Sequence, residues 1–433
     1  MPIDLRKLTP QKKPQRPIDP LEIWNVLDRA VGKEYLRPIQ EQVLKQWFQR
    51  RDQSDTIIKM NTGTGKTLVG LMMLQSSLHE GLGPCLYLCP DNYLANQVLD
   101  QAKQFGVNCV TFPESIRDIP TEFSNGDAIL VTNVKKFFNG RSVFGFPGGP
   151  RPVAQVGTIL FDDAHACVEQ IRSQFSIILG DKHPAYSKIL ALFGSSLKQQ
   201  RPGTYAEICA GDYSKFLLVP YWSWLEAHDA LVAILTEHRE DDELLFTWPL
   251  LKDILQICEC IVSGSRLQIT ARVAQPHSLP SFAAAKRKMF LSATLLDDSQ
   301  MARELGVSVD NVLSQIKPDE FDDLGERLIL TPANLDQDLG AKFASGVAVA
   351  STKINRVVLV PTGKDAERWQ ALGATAVAAE NIEAAIAPLR TSTGAFLALI
   401  SKYDGIDLPD ASCRLLVLDG LPRAATLSDW YLQ

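Results

Sequence analysis

Two short stretches of this chain carry residue types suited to phosphoryl chemistry. The first is Met60-Asn61-Thr62-Gly63-Thr64-Gly65-Lys66-Thr67. A glycine-rich turn that opens a helix lets backbone N–H groups approach a polyphosphate, and the helix N-terminus adds favourable potential. Lys66 would reach the terminal phosphates and the Thr67 hydroxyl would bind Mg²⁺. The general pattern G-x-x-x-x-G-K-[ST] places glycine where this chain has Met60. The second stretch is Thr158-Ile159-Leu160-Phe161-Asp162-Asp163-Ala164-His165. An apolar strand ending in two carboxylates presents them at the carboxyl edge of a sheet, where ligands bind in open α/β folds. Asp162 would hold Mg²⁺, and Asp163 would orient or deprotonate an attacking water.

The elements needed to position these residues are legible as alternating patterns. Short apolar runs at Thr56–Met60, Pro84–Cys89, Val107–Phe112, Ala128–Thr132 and Thr158–Phe161 read as strands. Between them, helical spacing runs through Leu21–Ala30, Ile39–Phe48, Lys66–Leu78 and Tyr93–Phe105. Continuous apolar strands alternating with helices predict a parallel sheet covered on both faces. The alternation is lost from about 168 to 286, where Trp224–Glu237 and Leu250–Val262 read as helices and aromatics crowd at Tyr213–Trp224. It returns at Lys288–Leu291, Arg327–Leu330, Arg356–Val360, Ala395–Ile400 and Arg414–Leu418. The fold class is therefore α/β: two parallel-sheet domains, with a mainly helical insertion in the first. The boundaries are a flexible basic, proline-rich arm over 1–20, a first domain over 21–167 plus 287–320, the insertion over 168–286, and a partial second domain over 321–433.

Composition fits a soluble, multidomain enzyme. The formal charge is 44 − 50 = −6, which excludes a generally basic nucleic-acid coat but not a local basic groove. Eight cysteines in 433 residues are too sparse for a disulfide framework. No apolar run reaches the ~18 residues that suggest a membrane span, and the N-terminus lacks a signal-like apolar stretch. These features point to a cytoplasmic location and no membrane partner.

Taken together, the motifs resemble those of superfamily 2 helicases of the DEAD/DEAH-box type, here with Asp-Asp-Ala-His. T-G-x-G-K-T is a variant of the phosphate loop in that group, and the resemblance spans nearly the whole chain outside the insertion. It implies that both parallel-sheet domains are RecA-like, the second incomplete, with ATP and Mg²⁺ as cofactors and nucleic acid as partner, DNA favoured over RNA. ATP would rest on Thr62, Gly63, Thr64, Gly65, Lys66 and Thr67, with Mg²⁺ on Thr67 and Asp162. Arg37-Pro38-Ile39-Gln40 is similar to the adenine-reading Q motif, with Gln40 on the base. Cys89–Gln97 resembles motif Ia and Val131-Thr132-Asn133 motif Ib, which implies nucleic-acid contacts at Pro90, Asn92, Gln97, Thr132 and Asn133. Ser292-Ala293-Thr294 is similar to the coupling motif III. Arg356–Val360 with Pro361-Thr362 resembles motif IV, and Ser401–Pro409 motif V. His165, Ser292, Thr294, Gly405 and Asp407 would then couple the nucleotide to the strand.

Two departures bear on activity. Asp163 stands where the family has glutamate, so its carboxylate reaches about 1.5 Å less far, a misplacement that can cost around 10²-fold in rate. No Q-x-x-G-R-x-x-R follows Asp407, and arginine fingers are worth roughly 10³–10⁵ in turnover. The chain thus reads as a fragment that binds ATP and hydrolyses it poorly. A nucleotide-gated clamp with little turnover and a double-strand translocase of restriction or phage defence are the alternatives.

The insertion's position resembles the arch of the XPD and DinG helicases, and it could recruit a protein partner. Relatives there often carry an iron–sulfur cluster. Cys85, Cys89 and Cys109 fall short of four ligands between motifs I and II, so no cluster is expected. Cys258-Glu259-Cys260 with His277, and His228 with His238, lack a recognised metal spacing. They read as ordinary structural residues.

Overall fold

The computed structural model describes residues 16–433 apart from 34, 62, 114–117, 150, 293–297, 320–327, 333–336, 351–352, 379–380, 404–405, 407, 409, 421–425 and 433. Two compact units emerge. The first comprises Met1–Phe175, Leu245–Asp253 and Val273–Phe321; the second comprises Ser176–Leu244, Ile254–Arg272 and Asp322–Gln433.

The first unit is built on a six-stranded parallel sheet. Its strands are β1 (Asp55–Lys59), β2 (Cys85–Cys89), β3 (Cys109–Val110), β4 (Ile129–Asn133), β5 (Thr158–Phe161) and β10 (Arg287–Ser292), in the order β1-β10-β5-β2-β4-β3. β2 is buried along its whole length, as a central parallel strand covered on both faces must be. The helix Lys66–His79 contributes Leu68, Val69, Leu71, Met72 and Leu74 to the core. Met60, at the place where the phosphate-loop pattern has glycine, is a core residue immediately after β1. The side chain there serves packing, and the turn begins only after it.

β5 and β10 are neighbours in this sheet although more than a hundred residues separate them. The register Arg287↔Thr158 to Phe290↔Phe161 closes the detour. Arg287 and Lys288, the charged residues that open β10, are buried. Arg287 ties Ser77 at 2.9 Å and Glu80 at 3.0 Å, so it anchors the helix and is not exposed to meet a phosphate.

The described part of the N-terminal arm is also fixed. Ser76 Oγ donates to the carbonyl of Ile18, and a ring nitrogen of His79 meets that of Pro17. Asp19 caps the helix that begins at Pro20. A flexible arm over 1–20 is therefore corrected for 17–20.

The second unit holds two sheets. One is parallel, ordered β12 (Thr375–Val377), β13 (Phe396–Ile400), β11 (Arg356–Val360) and β14 (Leu415–Leu418). The other is antiparallel, ordered β6 (Ser176–Gly180), β9 (Arg266–Ala271), β8 (Cys258–Ser263) and β7 (Phe216–Leu218). This second sheet adds strands to an insertion that is otherwise mainly helical, with helices such as Pro184–Leu192, Pro202–Cys209 and His228–Glu237. The run Leu250–Val262 divides into a helical turn at Trp248–Leu251, a 3-10 turn at Leu255–Ile257, and then β8. Short apolar runs fit either period, and here strand pairing decided. Within β8, Cys258 and Cys260 share one buried face, where burial pushes the Cys258 thiol up to about 12 and Cys260 higher still. Residues 328–330, expected as a strand, have no regular structure and expose Leu328, Ile329 and Leu330.

The aromatic run divides by role. Trp224 is buried, stacks on Phe193 and donates from Nε1 to the carbonyl of Leu255 at 2.8 Å. Tyr213, Tyr221 and Trp222 remain exposed.

Candidate nucleotide site

The loop after β1 owes its course to two left-handed glycines. Gly63 has φ +82° and Gly65 φ +86°, a region closed to most side chains. A Cβ on Gly63 would meet nothing within 4 Å, so the outer face of the loop is open to a ligand. A Cβ on Gly65 would lie 2.1 Å from Gln40 Nε2. Gly65 caps the helix that Lys66 begins, which sets Lys66 and Thr67 in its first turn. Thr64 is buried and its Oγ donates to the carbonyl of Asn61 at 2.6 Å, bracing the turn from within. Thr62 lies outside the described residues.

Gln40 is placed against this loop. Its Nε2 donates to the Thr64 carbonyl at 2.9 Å and its Oε1 accepts from the Arg37 N–H at 3.0 Å. The Arg37 guanidinium donates to the Gly63 carbonyl at 2.7 Å. Arg37 and Gln40 therefore clamp the loop from one side, a role that resemblance to an adenine-reading motif did not specify.

Asp162 ends β5 and is buried beside the loop. Burial pushes its carboxyl above the usual range, while Lys66 and the Tyr87 phenol pull it back down. Tyr87 Oη donates to Asp162 Oδ2 at 3.0 Å, and Thr67 lies near enough to the phenol to counter part of the rise that burial gives its pKa. Thr67 and Asp162 thus bring a hydroxyl and a carboxylate, both hard oxygen donors, close to one tyrosine, and this donor set suits Mg²⁺. Tyr87 was missed in the sequence. Its only signal is a phenol in an otherwise apolar strand, Cys-Leu-Tyr-Leu-Cys.

Asp163 takes a left-handed conformation, φ +49° and ψ +67°, at the start of the helix Ala164–Gln174. Aspartate tolerates this region better than most residues. The turn separates its carboxylate from Asp162 and leaves it half-buried.

His165 joins the loop to β10. Its Nδ1 lies 2.9 Å from Ser292 Oγ, and its Nε2 is 3.5 Å from Asp298 Oδ1. Asp298 Oδ2 in turn meets the Lys59 ammonium at 2.8 Å. This buried chain runs from the end of β1 through Asp298 to His165 and Ser292. Lys59 and Asp298 carry no motif, so sequence alone passed over both. Thr294, Gly405 and Asp407 lie outside the described residues.

Of the nucleic-acid candidates, Pro90 follows β2, Asn92 and Gln97 lie in the helix Asn92–Phe105, and Thr132 and Asn133 end β4. Pro90 is buried, Asn92 exposed and Gln97 half-buried. Thr132 and Asn133 are both buried. Asn133 caps Lys136 N–H at 2.8 Å and donates to Asn92 Oδ1 at 2.5 Å. The Thr132 and Asn133 side chains are therefore spent inside the domain; Asn92 is the exposed member of this group.

Among the described residues, no helix is long and apolar enough to cross a membrane. Residues 33–198 match the family model described as "Type III restriction enzyme, res subunit". No curated protein matches the sequence significantly. Among solved structures, the chain is similar to "Structure of S. tokodaii Xpd4" at 14 % identity and TM-score 0.49, covering 91 % of this chain and 84 % of that one. It is also similar to a structure titled "XPD_Helicase" at 12 % identity and TM-score 0.48, covering 90 % and 85 %. "S. cerevisiae Dbp5 bound to RNA and ADP BeF3" aligns at 12 % identity and TM-score 0.41, covering 91 % and 77 %. Structural likenesses this distant do not specify chemistry.

Proposed function

We propose that the chain, whose first domain is of the superfamily 2 helicase type, is an ATP-dependent nucleic-acid helicase or translocase. The observation that carries this reading is the meeting of loop and carboxylate: Lys66 and Thr67 open the helix after Gly65, and the buried Asp162, held by Tyr87, lies in the field of Lys66. Thr67 and Asp162 would hold Mg²⁺, which when bound supplies charge neutralisation at the phosphates. Gly63 and Gly65 shape the cradle, and Lys66 neutralises the terminal phosphate oxygens. Asp163 orients the attacking water. His165, bonded to Ser292 and braced by Asp298, passes the state of the site into β10.

Turnover is proposed to be slow. Asp163 is one methylene shorter than the glutamate that the resemblance leads one to expect there. A second reading, a double-strand DNA translocase, is favoured by the description of the matched family. It uses the same nucleotide site on a different track.

The nucleotide site is tested by ATP binding to the wild type and to Lys66→Ala in the presence of Mg²⁺. Lys66→Ala is expected to weaken binding by at least about tenfold, the loss of one charge-assisted contact worth 1.5–3 kcal/mol. Equal affinity in the two proteins would remove Lys66 from the site.

A further inference from the structure

The second unit brings together two histidines that the sequence keeps 55 residues apart, His183 and His238. His183 precedes the helix Pro184–Leu192, and His238 follows the helix His228–Glu237. Lys188 and Glu237, paired at 2.6 Å, brace the two helices against one another. The imidazoles therefore meet where one helix begins and the other ends, with ring centroids 5.1 Å apart. His183 is 8 % exposed and His238 12 % at the side chain.

Asp241 completes the group. Its Oδ2 lies 3.3 Å from His183 Nε2 and 2.8 Å from His238 Nδ1. One ligand atom from each of the three residues lies within 4.8 Å of the others. Glu243 Oε2 stands 3.8 Å from His183 Nε2 and is within reach as a fourth donor. Ligands on one tetrahedral zinc, with bonds of about 2.0–2.2 Å, stand roughly 3.3–3.5 Å apart.

The second observation is an unmet need. The Nε2 atoms of His183 and His238 are both buried, and neither has a hydrogen-bond partner among the described residues. Buried polar atoms are paired in the great majority of cases, and an orphaned His183 Nε2 aimed at the Asp241 carboxylate calls for an explanation. We propose that His183, His238 and Asp241 form a binding site for a divalent transition cation of the zinc class, with Glu243 available as the fourth ligand. Two imidazoles with carboxylates suit such a cation and do not suit Mg²⁺ or Ca²⁺. Its role is structural, pinning the end of one helix to the start of the other.

One internal cost accompanies binding. His183 Nδ1 accepts from the Ala185 N–H at 3.2 Å, which in the neutral ring leaves the proton on Nε2. Coordination through Nε2 moves the ring proton to Nδ1 and gives up that cap. The long bond is a weak one, and a coordinate bond to zinc exceeds it.

The test uses the full chain, stripped with a chelator and kept free of nucleotide, titrated with Zn²⁺ and with Co²⁺ as a spectroscopic stand-in. The wild type is expected to take up one equivalent and show visible cobalt bands of nitrogen–oxygen ligation, with a raised melting midpoint. His183→Ala/His238→Ala is expected to lose that equivalent, and Asp241→Asn, which keeps the shape, to weaken it by at least about tenfold. Unchanged uptake in the double variant would overturn the site, as would no uptake by the wild type. A sulfur-to-cobalt charge-transfer band would place the metal on a thiol such as the exposed Cys209 and overturn it equally. The cobalt spectrum needs only the wild type, so the proposal stays testable even if a variant fails to fold.

Discussion

Asp298→Ala is expected to destabilise the first domain by about 3–5 kcal/mol, the cost of removing one partner from a buried ion pair. Lys59 and Asp298 are 4 % and 5 % exposed at the side chain and meet at 2.8 Å, so neither charge has bulk water to fall back on. The substitution also withdraws the carboxylate 3.5 Å from His165 Nε2, loosening the link to Ser292. At roughly 2–4 °C per kcal/mol for a domain of this size, the melting midpoint should fall by about 6–20 °C. Replacing both partners together, as Lys59→Met/Asp298→Leu, should recover most of that loss, because well-packed apolar pairs often match buried ion pairs. Urea unfolding of the three proteins checks this. A single variant within about 1 kcal/mol of the wild type would show that the pair contributes little.

The second large effect distinguishes two glycines that look equivalent in sequence. Both Gly63 and Gly65 are left-handed, so alanine at either should cost about 1–2 kcal/mol of backbone strain. Only at Gly65 does the new Cβ also strike Gln40, whose Nε2 would lie 2.1 Å away. Relief requires Gln40 to swing off the Thr64 carbonyl, forfeiting a buried hydrogen bond worth about 1 kcal/mol. Gly65→Ala should therefore lose about 2–3 kcal/mol of ATP binding, roughly 30- to 150-fold, against about 5- to 30-fold for Gly63→Ala. Adding Gln40→Ala to Gly65→Ala should cost nothing further, since the same bond is already lost. Equal ATP affinities for the two glycine variants would mean that Gln40 does not hold the loop.

How far these features were legible depends on where their partners lie. The phosphate loop and the Asp162-Asp163 turn are local: each is a strand, a turn and a helix start within a dozen residues, and periodicity reads them directly. Thr158–Phe161 and Arg356–Val360 form strands with the bounds their apolar runs suggest. Tyr87, Lys59 and Asp298 acquire meaning only across the sheet. Tyr87 meets Asp162 because β2 lies beside β5, and Lys59, at the end of β1, reaches Asp298 at the start of the helix Ser299–Leu305 beyond β10. No pattern within β1 announces a buried cation. Thr132 and Asn133, named by a motif resemblance, are buried at the end of β4, where Asn133 also caps the following helix, a placement that the resemblance does not convey. The antiparallel sheet was hidden for a third reason, because an apolar run such as Leu250–Val262 satisfies either period until its pairing partner is known.

The central claim is that ATP turnover in this chain is coupled to a nucleic-acid track. The most direct test is ATP hydrolysis by the 433-residue protein with no polymer, with single-stranded DNA, with duplex DNA and with RNA, beside Lys66→Ala. The account predicts slow basal turnover that rises with one of these polymers and is abolished in Lys66→Ala, the stimulating polymer naming the track. Turnover that is the same with and without every polymer, or that survives in Lys66→Ala, would contradict it.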